Sequence, residues 1–333
     1  MRICVIGAGS MGSLYGGRLA RAGYDVTLLD VWEAHVEAIR ARGLRLDGIG
    51  GDLTISVKAT TRPADAAGAD LAVIFVDANS TAAAARTAAE VLAADGWALT
   101  LQNGIGNVEA LGGVLGPGRV MAGLSYHSAA LRGPGHVTHT HGGPTWIGEF
   151  DGSRSDRLAR LGEALAKAGL GPVLVDDPMA HVWNKWVLNC GINAICAVTG
   201  LRVGEVARTP EVDAFQDRVI DEVLAVVRAK GVRLPDPDPK GTIKAHTRSK
   251  YNKPSMLQHV EAGKRTEIDA LNGAVVRLGR ELGVATPYNE ALAALVKGVE
   301  RHRRQAVHGP APNYEALEAE AKAEGAGKAG SRA

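Results

Sequence analysis

The chain has 333 residues, 46% hydrophobic and 22% charged, with a formal net charge of +2; this length predicts two domains with ordinary packed cores. Only 4% of residues are aromatic, and the one dense basic cluster, Arg301-His302-Arg303-Arg304, reads as a solvated helix end, so nothing favours nucleic acid. No apolar run approaches a membrane span, and the first strand starts too early to leave room for a signal peptide.

The strand Ile3–Ile6 runs straight into Gly7-Ala8-Gly9-Ser10-Met11-Gly12. A helical pattern follows (Leu14, Leu19, Ala20, Ala22), then a second strand, Val26–Leu29, that ends in Asp30. This strand–helix–strand–acid context separates a dinucleotide fingerprint from an ordinary glycine-rich turn. Gly7 permits the tight turn, Gly9 lets the backbone approach a pyrophosphate at the helix N-terminus, and Gly12 lets helix and strand pack closely. Asp30 is placed to accept hydrogen bonds from both adenosine ribose hydroxyls. A 2′-phosphate there would meet like charge, with only Val31 and Trp32 beside it, so NAD is expected over NADP.

Further strands are predicted at Thr54–Val57, Leu71–Val76, Ala98–Leu101 and Arg119–Gly123, with a helix over Ser80–Ala94. That rhythm predicts an α/β, Rossmann-type doubly wound parallel sheet covered by helices on both faces. Residues 135–148 read as two strands joined by a glycine-proline turn, added antiparallel to the same sheet. Asp156–Ala168 reads as a helix and Pro172–Val175 as one more strand. Asp176-Asp177-Pro178 is a helix-start signal, and helical periodicity continues to about Gln305 around a Pro235–Pro239 loop. The expected units are therefore a dinucleotide-binding domain at 1–175, an all-helical substrate domain at 176–305 and a tail at 306–333, frayed helix passing into disorder. Cys4, Cys190 and Cys196 lack metal spacing and read as buried reduced thiols, which fits a cytoplasmic protein.

The helical half has to supply catalytic groups. Lys185, Asn189 and Asn193 recur every four residues and so share one helix face amid Val182, Trp186, Val187, Leu188, Ile192 and Ile195. Buried there, they need polar partners; the bland alternative is a snorkelling lysine with amides as helix glue. Ser255, His259, Gly263 and Glu267 step by four along a second helix that starts after Pro254. Gln102-Asn103-Gly104 ends a strand, where ligands of open α/β sheets bind, although an Asn-Gly turn explains it as well. His139 and His141 face one side of a strand and invite a metal with His127, but nothing sets a third ligand at defined spacing, and no metal is expected.

Together these pieces resemble the ketopantoate reductase family over about residues 1–300. The resemblance rests on the glycine fingerprint, Gln102-Asn103-Gly104-Ile105-Gly106, the Lys185/Asn189/Asn193 helix, and the Ser255-Met-Leu-Gln stretch running on to Gly263-Lys-Arg-Thr-Glu267-Ile-Asp. It implies an active site in a cleft between a Rossmann domain and a helical domain. Lys185 would be the catalytic lysine and Glu267 the active-site glutamate. Asn189, Asn193, Asn252 and Ser255 would bind substrate, with Asn103 near both nicotinamide and substrate. The implied reaction reduces 2-dehydropantoate, or a related 2-oxo acid, to (R)-pantoate or the corresponding 2-hydroxy acid, or runs in reverse. A homodimer is expected, with a small-molecule substrate and no nucleic-acid or membrane partner.

The chain departs from the family pattern at Asp77, where a lysine is usual, and at His259, where an aspartate is usual. Either the two compensate each other across the cleft, or Asp77 recolours the pocket toward a substrate with a cationic or hydroxyl-rich group; the second reading is favoured slightly. An enzyme of the same fold acting on another hydroxy acid or alcohol is the first rival. A non-catalytic dinucleotide sensor is the second, and it would need neither Lys185 nor Glu267.

Overall fold

A computed structural model of the protein describes residues 1–330, except for the side chains of 323–330. In chain order the first half comprises β1 (Arg2–Ile6), α1 (Ser10–Arg21), β2 (Asp25–Leu29), α2 (Glu33–Arg42), β3 (Leu44–Gly48), β4 (Leu53–Ile55), β5 (Lys58–Thr60), β6 (Ala69–Ile74), α3 (Thr81–Val91), β7 (Leu92–Thr100), α4 (Asn107–Leu115), β8 (Val120–Ser125), β9 (Ser128–Gly133), β10 (His136–His141), β11 (Thr145–Glu149), α5 (Asp156–Lys167) and β12 (Pro172–Leu174). The second half is helical: α6 (Pro178–Cys190), α7 (Asn193–Thr199), α8 (Val203–Val206), α9 (Pro210–Ala229), α10 (Pro239–Ser249), α11 (Ser255–Glu261), α12 (Asn272–Leu282), α13 (Pro287–His308) and α14 (Tyr314–Gly330).

Eight strands form the main sheet in the order β12-β11-β8-β7-β6-β1-β2-β5. All neighbours are parallel except β8 and β11. Alternate residues feed two cores, as the two-residue period of a strand requires. Ile3, Val5, Leu71, Val73 and Leu99 pack on the face carrying α1 and α5, whereas Cys4, Ile6, Ala72, Ile74 and Ala98 pack with Ala84, Ala85, Ala88 and Leu111 of α3 and α4. The expected doubly wound sheet with a helical second half is present.

Two strand expectations are corrected. Residues 54–57 do not form one strand: β4 ends at Ile55 and β5 begins at Lys58, and the two belong to different sheets. The two strands of 135–148 also part company. β11 joins the main sheet antiparallel to β8, but β10 enters a separate four-stranded sheet, β4-β3-β10-β9, lying against α1.

Two helical expectations fail, the first for a long-range reason and the second for a local one. The Lys185–Asn193 stretch is not one helix, because α6 ends at Cys190 and Asn193 starts α7. Gln216 Nε2 donates to the Gly191 carbonyl at 3.0 Å and Asn272 Nδ2 to the Cys190 carbonyl at 3.0 Å. These side chains satisfy carbonyls that would otherwise be orphaned at a buried helix end. Gly263 is not helical either. At φ +64° it closes α11, with its N–H on the Val260 carbonyl and that of Lys264 on the His259 carbonyl, a left-handed glycine cap. Glu267 therefore arrives from a following turn and not from the Ser255/His259 face. Of the tail at 306–333, expected as a frayed helix passing into disorder, Tyr314–Gly330 is helical, while 331–333 lie outside the described residues. Among the described residues no helix is long and apolar enough to cross a membrane.

Candidate active site

The sheet's share of the predicted site lies on loops that leave the carboxyl edge of the parallel strands. Gly7–Gly12 follows β1, Asp30 follows β2, Asp77 lies beyond β6, Gln102 and Asn103 lie beyond β7, and Ser125 ends β8. Because β1 is flanked by β2 on one side and β6 on the other, the chain reverses direction across the sheet here and opens a crevice.

The glycine loop is shaped as a cradle. Gly7 holds φ +91°, and a Cβ there would sit 2.7 Å from the Val76 nitrogen; one on Gly12 would lie 1.9 Å from the Gly7 carbonyl oxygen. A Cβ on Gly9 would meet nothing within 4 Å, because it would project into open space over the start of α1. No side chain caps that helix, so its first N–H groups are available to an anion. Asp30 Oδ2 accepts from the Ala8 N–H at 2.7 Å and Oδ1 from the Trp32 N–H at 2.9 Å, which locks the carboxylate over the loop. Val31 beside it is 93% exposed, and no described lysine or arginine pairs with Asp30.

Asp177 accepts from the Ala180 N–H at 2.9 Å and Pro178 occupies the first turn, so α6 starts where its local signals place it. Lys185 lies mid-helix, and its ammonium reaches back to the sheet edge. Nζ donates to the Ser125 carbonyl at 2.8 Å and lies 5.8 Å from the centre of the Tyr126 ring. Desolvation pulls its pKa down to about 8, against the opposing pull of Glu267. Trp186 Nε1, one residue on, donates to the Ala270 carbonyl at 3.0 Å and ties α6 to the turn bearing Glu267.

Glu267 is 9% exposed. Its Oε1 accepts from the Ala78 N–H at 3.2 Å and its Oε2 from Asn103 Nδ2 at 3.4 Å. Burial raises its pKa; the two hydrogen bonds and Lys185 oppose that shift, and Asp77 adds to it. Asn79 Nδ2 donates to the Thr266 carbonyl at 2.9 Å, so the loop after β6 is pinned to the same turn. Gln102, Asn103, Leu124, Lys185, Trp186 and Asn189 line a small cavity where these pieces meet.

Other predicted residues are placed differently. Asn193 is buried at the start of α7, while Asn252 and Ser255 are exposed and make no hydrogen bond to another site residue. Asp77 turns onto its own loop, accepting from the Asn79 N–H at 3.1 Å and Ser80 Oγ at 3.4 Å. It forms no hydrogen bond or ion pair with His259, whose pKa is lowered mainly by burial, with Asp77 opposing that shift through space. Of the histidines, His127 Nδ1 and His139 Nε2 bond each other at 3.0 Å, His136 pairs with Asp47, and His141 is exposed. Among the described residues no group of three His, Cys, Asp or Glu side chains could hold a metal.

Sequence reasoning missed two contributors and gave a third, Gln102, no role of its own. Ser125 acts through its carbonyl and Ala78 through its N–H, groups that no side-chain pattern reveals. Gln102 fastens β7 to the end of β6 by donating to the Val76 carbonyl at 2.8 Å and to Thr81 Oγ1 at 2.9 Å; its place beside Asn103 was the available signal.

Known proteins resemble this chain in both halves. Residues 3–152 match the family model described as ketopantoate reductase PanE/ApbA, and residues 177–300 match its C-terminal counterpart. The 2-dehydropantoate 2-reductase of Halobacterium salinarum is 35% identical over 303 residues, covering 90% of this chain and 99% of the relative. A PanE/ApbA family ketopantoate reductase from Ralstonia eutropha JMP134 superposes with a TM-score of 0.85 at 37% identity, covering 91% and 100% of the two chains. D-mandelate dehydrogenase, in a ternary structure with NADH and anilino(oxo)acetate, superposes with a TM-score of 0.83 at 26% identity, covering 91% and 99%. With both halves matched and the carboxyl-edge cleft between them, the chain belongs to the ketopantoate reductase family of oxidoreductases.

Proposed function

We propose that the protein reduces 2-dehydropantoate to (R)-pantoate with a nicotinamide dinucleotide, Lys185 acting as the general acid. The observation that carries this reading is the meeting of Lys185, Glu267 and Asn103 at the carboxyl edge beside the glycine cradle. Residues 1–175 are taken as the dinucleotide unit and 176–305 as the substrate unit. The open space over Gly9 and the uncapped start of α1 fit a pyrophosphate. Gly7, Ala8, Gly9, Ser10, Met11 and Gly12 would hold it, with Asp30 on the ribose.

When bound, the nicotinamide supplies the hydride for the carbonyl carbon. Lys185 Nζ delivers the proton that the carbonyl oxygen takes up and is recharged from solvent. Glu267 holds the ammonium's charge in the dry cleft and orients the substrate hydroxyl; Asn103 and Asn189 bind the substrate's polar groups. Asn193, Asn252, Ser255 and His259 are proposed to complete the substrate side. NAD is proposed over NADP, because Asp30 is followed by Val31 and Trp32 with no cation for a 2′-phosphate. The NADH of the D-mandelate dehydrogenase structure supports that choice. A homodimer in the cytoplasm completes the reading.

A second reading is that the favoured substrate is a different one that carries a cationic or hydroxyl-rich group, a 2-oxo acid among them. Asp77 supports it, since its carboxylate adds negative charge beside Glu267, where an anionic substrate would bind. Following NADH and NADPH oxidation against a panel of 2-oxo acids decides between them. Ketopantoate should give the highest kcat/KM, with NADH. Absence of turnover with every 2-oxo acid would sink both readings.

A further inference from the structure

The Lys185 ammonium is held by a main-chain carbonyl and not by a carboxylate, and that carbonyl is itself fixed from an unexpected direction. Ser125 is 5% exposed at the end of β8. Its Oγ accepts from the Tyr15 hydroxyl at 2.8 Å and from the His127 N–H at 3.0 Å. Tyr15 is fully buried in α1, the helix whose start forms the glycine cradle. Its hydroxyl also lies 2.5 Å from Thr145 Oγ1, which sits 2.7 Å from the Leu170 carbonyl oxygen. Phe75 packs on the Tyr15 ring at 4.8 Å between centroids, so the phenol has little freedom.

We propose that Tyr15 is a positioning residue for Lys185, acting through Ser125, so that the ammonium is located relative to the helix that carries the dinucleotide. A lysine ends in a compact charge on a flexible four-carbon stem, and something must choose its place. One N–H on the Ser125 carbonyl does so and leaves the others for the carbonyl oxygen of the substrate. An acceptor on the ammonium also favours its charged form, partly offsetting desolvation in the cleft. The link matters because misplacing a reacting group by about 1 Å costs on the order of 100-fold in rate.

This inference rests on Lys185 being the proton donor, and the test separates the two claims. Wild type, Tyr15→Phe and Lys185→Ala are compared in kcat, both KM values and the pH profile. The Lys185 13Cε resonance is titrated separately in cofactor-free, lysine-labelled protein, assigned by its loss in Lys185→Ala. Tyr15→Phe keeps the ring and removes one hydroxyl. It should lower kcat by roughly tenfold, leave the dinucleotide KM within about twofold, and move both the alkaline limb and the Lys185 titration to lower pH. An unchanged kcat and unchanged titration, with only the melting temperature reduced, would show Tyr15 to be structural and overturn the proposal. Should Tyr15→Phe not fold, Ser125→Ala removes the Oγ anchor and keeps the carbonyl; the same shifts are expected, and their absence is equally damaging. Wild-type kcat in Lys185→Ala would overturn the acid assignment, while the titration would still decide whether Tyr15 positions the ammonium.

Discussion

Lys185 and Glu267 face one cleft without forming an ion pair. The ammonium is drawn to the Ser125 carbonyl at 2.8 Å, and the carboxylate is held on the far side by the Ala78 N–H and Asn103 Nδ2 at 3.2 and 3.4 Å. Each nevertheless shifts the other's titration toward its charged form. Two opposite charges kept apart by separate hydrogen bonds leave a polar gap, which suits a carbonyl substrate better than a closed salt bridge would.

Reduction should therefore fail on the alkaline side. Lys185 must be charged to donate, and its pKa is pulled down to about 8, so kcat/KM for reduction is expected to fall as pH rises through that value. Lys185→Ala should lower kcat by on the order of 10²-fold or more, with dinucleotide affinity nearly unchanged. Glu267→Gln removes the charge that supports the ammonium, so its alkaline limb should move to lower pH. A flat profile in wild type between about pH 7 and 9 would contradict the assignment.

Two glycine substitutions in one loop should behave oppositely. Gly9→Ala places its methyl in open space at φ −60°, so thermal stability should be preserved while dinucleotide affinity drops by roughly tenfold or more. Gly12→Ala puts a methyl 1.9 Å from the Gly7 carbonyl oxygen and should destabilise the domain itself. Calorimetry and dinucleotide titration distinguish the two; equal loss of melting temperature in both would remove the cradle interpretation.

Cofactor preference should turn on Asp30. The wild type is expected to favour NADH in kcat/KM. Asp30→Ala paired with Val31→Arg should raise the NADPH-to-NADH ratio by about tenfold or more. Some stability loss, about 1 kcal/mol, accompanies it, because the Ala8 and Trp32 N–H groups lose their acceptor. A clear NADPH preference in the unmodified protein is the adverse result.

Acid should weaken the fold through two buried histidines. His127 Nε2 faces the Leu170 carbonyl and must donate to it; His139 Nε2 then donates to His127 Nδ1, and His139 Nδ1 accepts from Arg18. Both rings are thereby neutral, and burial lowers both pKa values from 6.5. The unfolded chain takes up protons below that value before the native state does. Stability is thus fully present above about pH 6.5 and is lost as pH falls toward the folded values. His139→Gln should shrink the loss between about pH 7 and 5 by on the order of 1 kcal/mol, read from urea midpoints at each pH. Glu267, whose pKa is raised, runs the other way, gaining stability as pH falls, and it is untouched by that variant. An unchanged slope would show that the two rings titrate freely.

What the sequence determined by itself was local. The glycine fingerprint, the Asp177-Pro178 helix start and the apolar runs of β1 and β6 depend on residues a few positions apart, and each lies within two residues of where it was expected. The four-residue spacing also put Lys185 and Asn189 on one face of α6, and both line the same cavity. The tertiary structure decided the rest. It ended α6 before Asn193 by supplying Gln216 and Asn272 from distant helices, and it packed α13 against the Gly263 cap, where a Cβ would lie 2.9 Å from Val307 Cβ. It also drew Glu267 to the sheet edge and gave Lys185 a carbonyl partner at Ser125. Main-chain donors and acceptors are the same in every residue, so which of them meets a given side chain is settled only when the chain closes on itself.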